Sequence, residues 1–135
     1  MVKKLGFTLL ELLIVIGLIG ILVSVAAVSY SSAQKKARDT RRMADMKAVQ
    51  DGIEQYYADH SGLYPADEAA LTEGGIYLPN GIPADPKGVN PYTINYDTSS
   101  YCACAALEGT LTGGNATDES CTFAPGAYYC VKNLQ

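Results

Sequence analysis

A short basic leader followed by a long apolar run that holds a single acid constrains this chain more than any other feature. Lys3 and Lys4 precede the stretch from Phe7 to Val28, whose only ionisable side chain is Glu11. As an α-helix that stretch would be about 33 Å long, close to the hydrocarbon thickness of a bilayer. It predicts a membrane span, and the two lysines predict a cytoplasmic leader with the bulk of the chain on the other side. An ionised carboxylate in a span costs roughly 2.5–3.5 kcal/mol at mid-bilayer and less near an end, so something must offset Glu11. The fixed positive charge that can reach its depth is the amine of a chain beginning near Phe7, which requires a cut after Gly6. An ordinary secretory signal, with an apolar run of about 7–15 residues, is too short to describe this segment, although Val25-Ala26-Ala27 would suit its cleavage. A plain single-pass anchor accounts for the hydrophobicity and leaves Glu11 and the Gly6-Phe7 junction as coincidences.

The run Gly6-Phe7-Thr8-Leu9-Leu10-Glu11 and the uninterrupted apolar residues after it resemble the N-terminal signature of the type IV pilin and pseudopilin family, a Gly, a Phe and a Glu as fifth residue of the mature chain. The resemblance implies that a prepilin peptidase cleaves between Gly6 and Phe7 and methylates the Phe7 amine. It also implies that Glu11 pairs with the Phe7 amine of an adjacent subunit during assembly. The implied protein is a structural subunit without catalytic role, held in the cytoplasmic membrane as a precursor and then assembled with identical copies into a cell-surface helical filament. Further implied partners are an assembly ATPase and a membrane platform protein. The alternatives are a pseudopilin of a type II secretion system or a minor pilin and, from another class, a membrane-anchored extracytoplasmic binding module.

No proline occurs before Pro65, and the polar residues after Val28 are good helix formers, so one helix is predicted from about Phe7 to about Asp59. Many type IV pilins carry a proline where the helix leaves the apolar run; here Gly17 and Gly20 are the only soft points. Met46, Val49, Ile53, Tyr56 and Tyr57 recur at helical spacing and form a stripe suited to packing on a sheet. Gly62 predicts the helix stop, and His60, without a nucleophile or ligand partner nearby in sequence, reads as a helix-end residue. A short helix is expected around Ala66 to Leu71, opened by Asp67-Glu68, within a loop-rich stretch of turn signals. Strands are expected at Pro91–Tyr96, Tyr101–Leu107 and Gly126–Lys132, forming an antiparallel meander. The fold class is therefore α+β: a long N-terminal helix, its apolar half membrane-spanning, packed on a small antiparallel sheet, an order that also resembles the pilin fold. The predicted segments are a leader (1–6), the spanning or filament-core half of the helix (7–28), its amphipathic half (29–60) and a disulfide-bonded head (61–135).

Charge is unevenly placed. Residues 35–47 carry a net +4, whereas residues 48–135 carry eleven acids against Lys87 and Lys132, a net −9. So acidic a head repels phosphates, which argues against nucleic acid as its partner. The basic stretch reads as a solvated helix face or as a contact with lipid headgroups or neighbouring chains. Cys102, Cys104, Cys121 and Cys130 predict two disulfides on the oxidising side of the membrane. Cys102 and Cys104 are alternate residues of one strand, a poor geometry for a mutual bond, so each is expected to join Cys121 or Cys130. The reading inclines to Cys104 with Cys130, leaving Cys102 with Cys121. A zinc ribbon would need two C-x₂-C pairs, and the sequence has none. Major pseudopilins carry calcium in their C-terminal loops, so the resemblance makes Asn115, Asp118 and Glu119, with Glu108, candidate ligands in an otherwise cofactor-free protein; the spacing lacks an EF-hand pattern. Asn115-Ala116-Thr117 fits the glycosylation sequon.

Overall fold

The computed structural model describes residues 6–89, 91–109 and 113–135, with the Val28 side chain left aside. Helix α1 runs from Leu9 to Asp59, 51 residues, as the absence of proline and the helix-forming composition dictate. The chain divides into two units, Met1–Gln34 and Lys35–Gln135. In the first, every described residue is exposed, including Leu13, Ile16, Ile19 and Leu22. An apolar helix without protein cover must find cover in lipid or in other chains.

The second unit has its own core. Met46, Val49 and Ile53 of α1 are fully buried against Tyr64, Leu71, Leu78, Tyr101, Ala103, Ala105 and Val131, with Tyr56 and Tyr57 partly buried beside them. The predicted stripe therefore faces the sheet. Polar residues on the same side tie down the strands: Gln50 Nε2 donates to the Lys132 carbonyl at 2.8 Å, and Glu54 accepts from the Tyr101 hydroxyl at 2.9 Å and the Leu134 N–H at 3.0 Å. Helix α1 stops where Ser61 and Gly62 both turn left-handed, with φ of 57° and 80°. The Gly62 N–H returns 3.1 Å to the Tyr57 carbonyl. The stop is thus one residue earlier than a lone glycine signal suggests, and Ser61 accepts a conformation that glycine adopts at lower cost. Asp67 caps α2 (Glu68–Thr72) by accepting from the Ala70 N–H at 3.0 Å.

Five strands follow: β1 (Thr93–Asp97), β2 (Ser100–Ala106), β3 (Gly114–Ala116), β4 (Phe123–Gly126) and β5 (Tyr128–Lys132). All pairings are antiparallel, in the spatial order β1-β2-β5-β3-β4. This corrects the expected three-stranded meander, because the last strand inserts between β2 and β3. The two unforeseen strands are short, and Pro125 confines β4 to an edge, where no ladder N–H is needed. Gly114 and Gly126 allow the close approach, since a Cβ on either would collide with the backbone of Tyr128 or Ala116 respectively. Alternation along β2 and β5 turns Tyr101, Ala103, Ala105 and Val131 into the main core, while Cys104 and Cys130 form a second, small cluster with Ala116.

Candidate functional site

Two constellations carry unusual chemistry, one at each unit. At the start of α1, Gly6 and Phe7 precede the helix in irregular backbone; Phe7 is 91% exposed, and nothing lies within 4 Å of a Cβ built on Gly6. Among the described residues, nothing covers the Gly6–Phe7 peptide. Glu11 sits in the first turn, where its Oε2 accepts from the Thr8 N–H at 2.9 Å and from the Thr8 hydroxyl at 2.8 Å. The Glu11 N–H donates back to Thr8 Oγ1 at 3.2 Å. This is a capping box, Thr8 at the N-cap and Glu11 three residues on. It modifies the expectation from sequence: a local partner holds the carboxylate at the positive end of the helix dipole before any terminal amine is available. The Thr-x-x-Glu spacing announces the box in the sequence, although its donors are neutral and supply no full opposite charge.

The second constellation escaped sequence reasoning. Arg42 is fully buried, with Nε 2.6 Å from Asp85 Oδ1 and Nη1 at 2.8 Å from Asp39 Oδ1 and 2.9 Å from Glu108 Oε1. Arg38 forks onto Glu108 with both distances 2.7 Å, and Lys87 Nζ reaches Glu108 Oε2 at 3.0 Å. Backbone donors complete it, the Glu108 N–H to Asp39 at 2.8 Å and the Lys87 N–H to Asp85 at 3.0 Å. Three cations thus face three carboxylates, and among the described residues Arg42 Nη2 is left without a partner. Hydrogen bonds from Arg38, then from Lys87 and Arg42, hold Glu108 far below the usual carboxylate range against its desolvation. Arg42 likewise keeps Asp85 low. Burial opposes the charge on Arg42, but its bonds to Asp85, Asp39 and Glu108 outweigh that and raise its pKa.

The cluster pins the segments around Asp85 and Glu108 onto α1. It also corrects the reading of the basic stretch as a solvated face. Arg38, Asp39 and Arg42 turn inward because acids 43 to 70 residues away complete them. Their Asp39/Arg42 spacing of three was the available local signal.

The cysteines are joined as Cys102–Cys121 and Cys104–Cys130, with Cα separations of 5.9 and 4.1 Å. Although Cys102, Cys104 and Cys121 sulfurs lie close together, bonded sulfurs offer no thiolate to a metal. The calcium candidates go to different partners. Asn115 brackets the Cys130 backbone, accepting from its N–H at 2.7 Å and donating to its carbonyl at 2.8 Å. Asp118 Oδ1 accepts from the Ser120 and Thr122 N–H groups at 2.9 and 3.2 Å, contacts that, with the Thr122 hydroxyl foremost, lower its pKa. Glu119 accepts from the Thr93 hydroxyl at 3.2 Å, and Glu108 is enclosed by cations. Each of these side chains therefore already has a protein partner. His60 stacks on Tyr56 with centroids 3.7 Å apart, as a helix-end residue would.

With this geometry in place, the comparisons with known proteins agree on one family. The model of the prokaryotic N-terminal methylation motif matches residues 1–27. The chain is 34% identical to the type IV wide pilus major component PilA4 of Thermus thermophilus, over 84% of this chain and 82% of that one. It is 30% identical to the fimbrial protein EcpC of Eikenella corrodens, over 91% and 86% of the two chains. Identity to the type II secretion system core protein G of Aeromonas hydrophila is 31%, over 68% and 73%. No solved structure gives a significant match. An exposed Gly6-Phe7 junction, an apolar helix opened by Glu11, an antiparallel head and relatives aligned along most of their length together make this chain a member of the type IV pilin and pseudopilin family.

Proposed function

We propose that this chain is a structural subunit of a type IV pilus-like filament, made as a single-pass precursor in the cytoplasmic membrane with its head outside the cytoplasm. The observation that carries the reading is the coincidence of an open Gly6–Phe7 peptide with an exposed apolar helix whose first turn contains Glu11. Prepilin peptidase removes residues 1–6 and methylates the new Phe7 amine. The helix then exchanges lipid for the helices of identical copies, so that the same apolar surface is covered in both states.

Glu11 acts as a register selector. In the precursor the Thr8 capping box holds it. In the filament the Phe7 amine of an adjacent copy adds a full positive charge, and a subunit docked out of register leaves that charge and Glu11 buried and unpaired, which is costly. Two disulfides in the head support an oxidising, extracytoplasmic location. Lys35, Lys36 and their neighbours lie close enough to the span to enter the positive-inside count, so the orientation rests on the disulfides and on the translocation of long domains largely regardless of charge. An assembly ATPase and a platform protein in the membrane would drive extrusion. The similarity to a type II secretion core protein supports a second reading in which the same subunit serves a secretion pseudopilus.

Mass spectrometry of the natural protein tests this. The expected chain begins at a methylated Phe7, and a chain that retains Lys3 and Lys4 would refute the assignment.

A further inference from the structure

The ion cluster divides the cations of residues 35–47 into two sets. Arg38 and Arg42 are consumed by Asp39, Asp85 and Glu108, and Lys47 lies near Asp51 and Gln50. Lys35, Lys36 and Arg41 are exposed and form no ion pair among the described residues. At about 100° per residue, the three project at roughly 0°, 100° and 240° around α1, so they encircle the helix instead of lining one side.

We propose that Lys35, Lys36 and Arg41 form a cationic collar that binds anionic phospholipid headgroups of the membrane from which the head emerges. The inference rests on the membrane-anchored reading above and adds a lipid class to it. Lys35 follows Val28 by seven residues in sequence. Helical side chains lean toward the N-terminus, and lysine and arginine stems extend their charges back toward an interface, so the collar is suited to the headgroup level. Headgroups surround a helix crossing their plane, and a single docked copy would cover one side of it; in the precursor, before copies pack around the helix, the spread cations therefore face lipid. The strongly acidic head supplies the complement: near an anionic surface it is repelled, and the collar provides local attraction within a Debye length of about 8–10 Å.

The full chain, reconstituted in phosphatidylcholine vesicles doped with spin-labelled phosphatidylglycerol or phosphatidylcholine, reads the relative association of the two lipids with the protein. The wild type is expected to prefer phosphatidylglycerol about fivefold, the factor one surface cation contributes. That preference should weaken with salt, fall toward unity in Lys35→Gln/Lys36→Gln/Arg41→Gln, and largely survive in Lys3→Gln/Lys4→Gln. A wild type without preference, or a collar variant that keeps it, overturns the proposal. Filaments lost from a collar variant whose lipid preference is intact would assign the cations to a second copy and also overturn it. Alkaline carbonate extraction run in parallel separates the failures: release of the wild type from the vesicles removes the membrane anchor itself, whereas retention without lipid preference removes only the collar.

Discussion

Residues 9–27 and residues 42–54 lie on the same helix, yet they obtain their stability from opposite sources. In the first segment every side chain is exposed, and the only side-chain-to-side-chain hydrogen bond among the described residues is that between Thr8 and Glu11 at its mouth. In the second, Arg42, Met46, Val49 and Ile53 are fully buried, and Gln50 and Glu54 fasten the strands. The difference teaches that α1 is a helix for two reasons: composition and environment in one part, tertiary packing in the other. A subunit built this way carries a self-sufficient head and a second region that must be completed by lipid or by other copies.

That contrast can be broken from the head side first. Arg42→Met should destabilise the head by about 3–5 kcal/mol in denaturant unfolding, because it leaves the buried Asp85 carboxylate without its cation, whereas Glu108 keeps Arg38 and Lys87. A change below about 1 kcal/mol would mean that the cluster is better solvated than its geometry indicates. Removing the buried bridge with Cys104→Ala/Cys130→Ala should cost about 3.5 kcal/mol, from the chain entropy released by opening a loop whose ends are 26 residues apart. The acid dependence follows from the depressed carboxylates. Glu108 and Asp85 titrate lower in the folded head than when unfolded, so their stabilisation is complete above the unfolded carboxylate range and is lost as pH falls. The melting temperature should drop progressively below about pH 5, and it should drop less in Arg42→Met, where Asp85 has lost its main cause of depression. The smallest effect sharpens the other side: Ile16→Ala should change the head's unfolding free energy by less than about 0.5 kcal/mol, since Ile16 is exposed outside the head's core.

What the sequence made legible was what repeats locally. The helix, the Met46-Val49-Ile53 stripe, the Asp67 cap and three of the strands follow from periodicity or from a residue's own conformational preference. Cys102 and Cys104 could be separated because a strand fixes their geometry. The insertion of β5 between β2 and β3 was not legible, since β3 and β4 are too short to alternate and depend on Gly114 and Gly126 fitting against neighbouring backbone. Arg42 was hidden for a related reason. Its spacing of three from Asp39 is a weak local sign that does not by itself set it apart from exposed Arg41, and only the arrival of Asp85 and Glu108 makes its burial tolerable. The Thr8 capping box was written in the sequence but satisfies Glu11 only in part, through neutral donors.

Electron microscopy of filaments from cells expressing the Glu11→Ala variant, beside wild type, measures the pairing at the centre of this account. The account predicts an equal amount of subunit in the membrane fraction, a head of unchanged stability and no filaments. Filaments of normal length and abundance from the variant would contradict it.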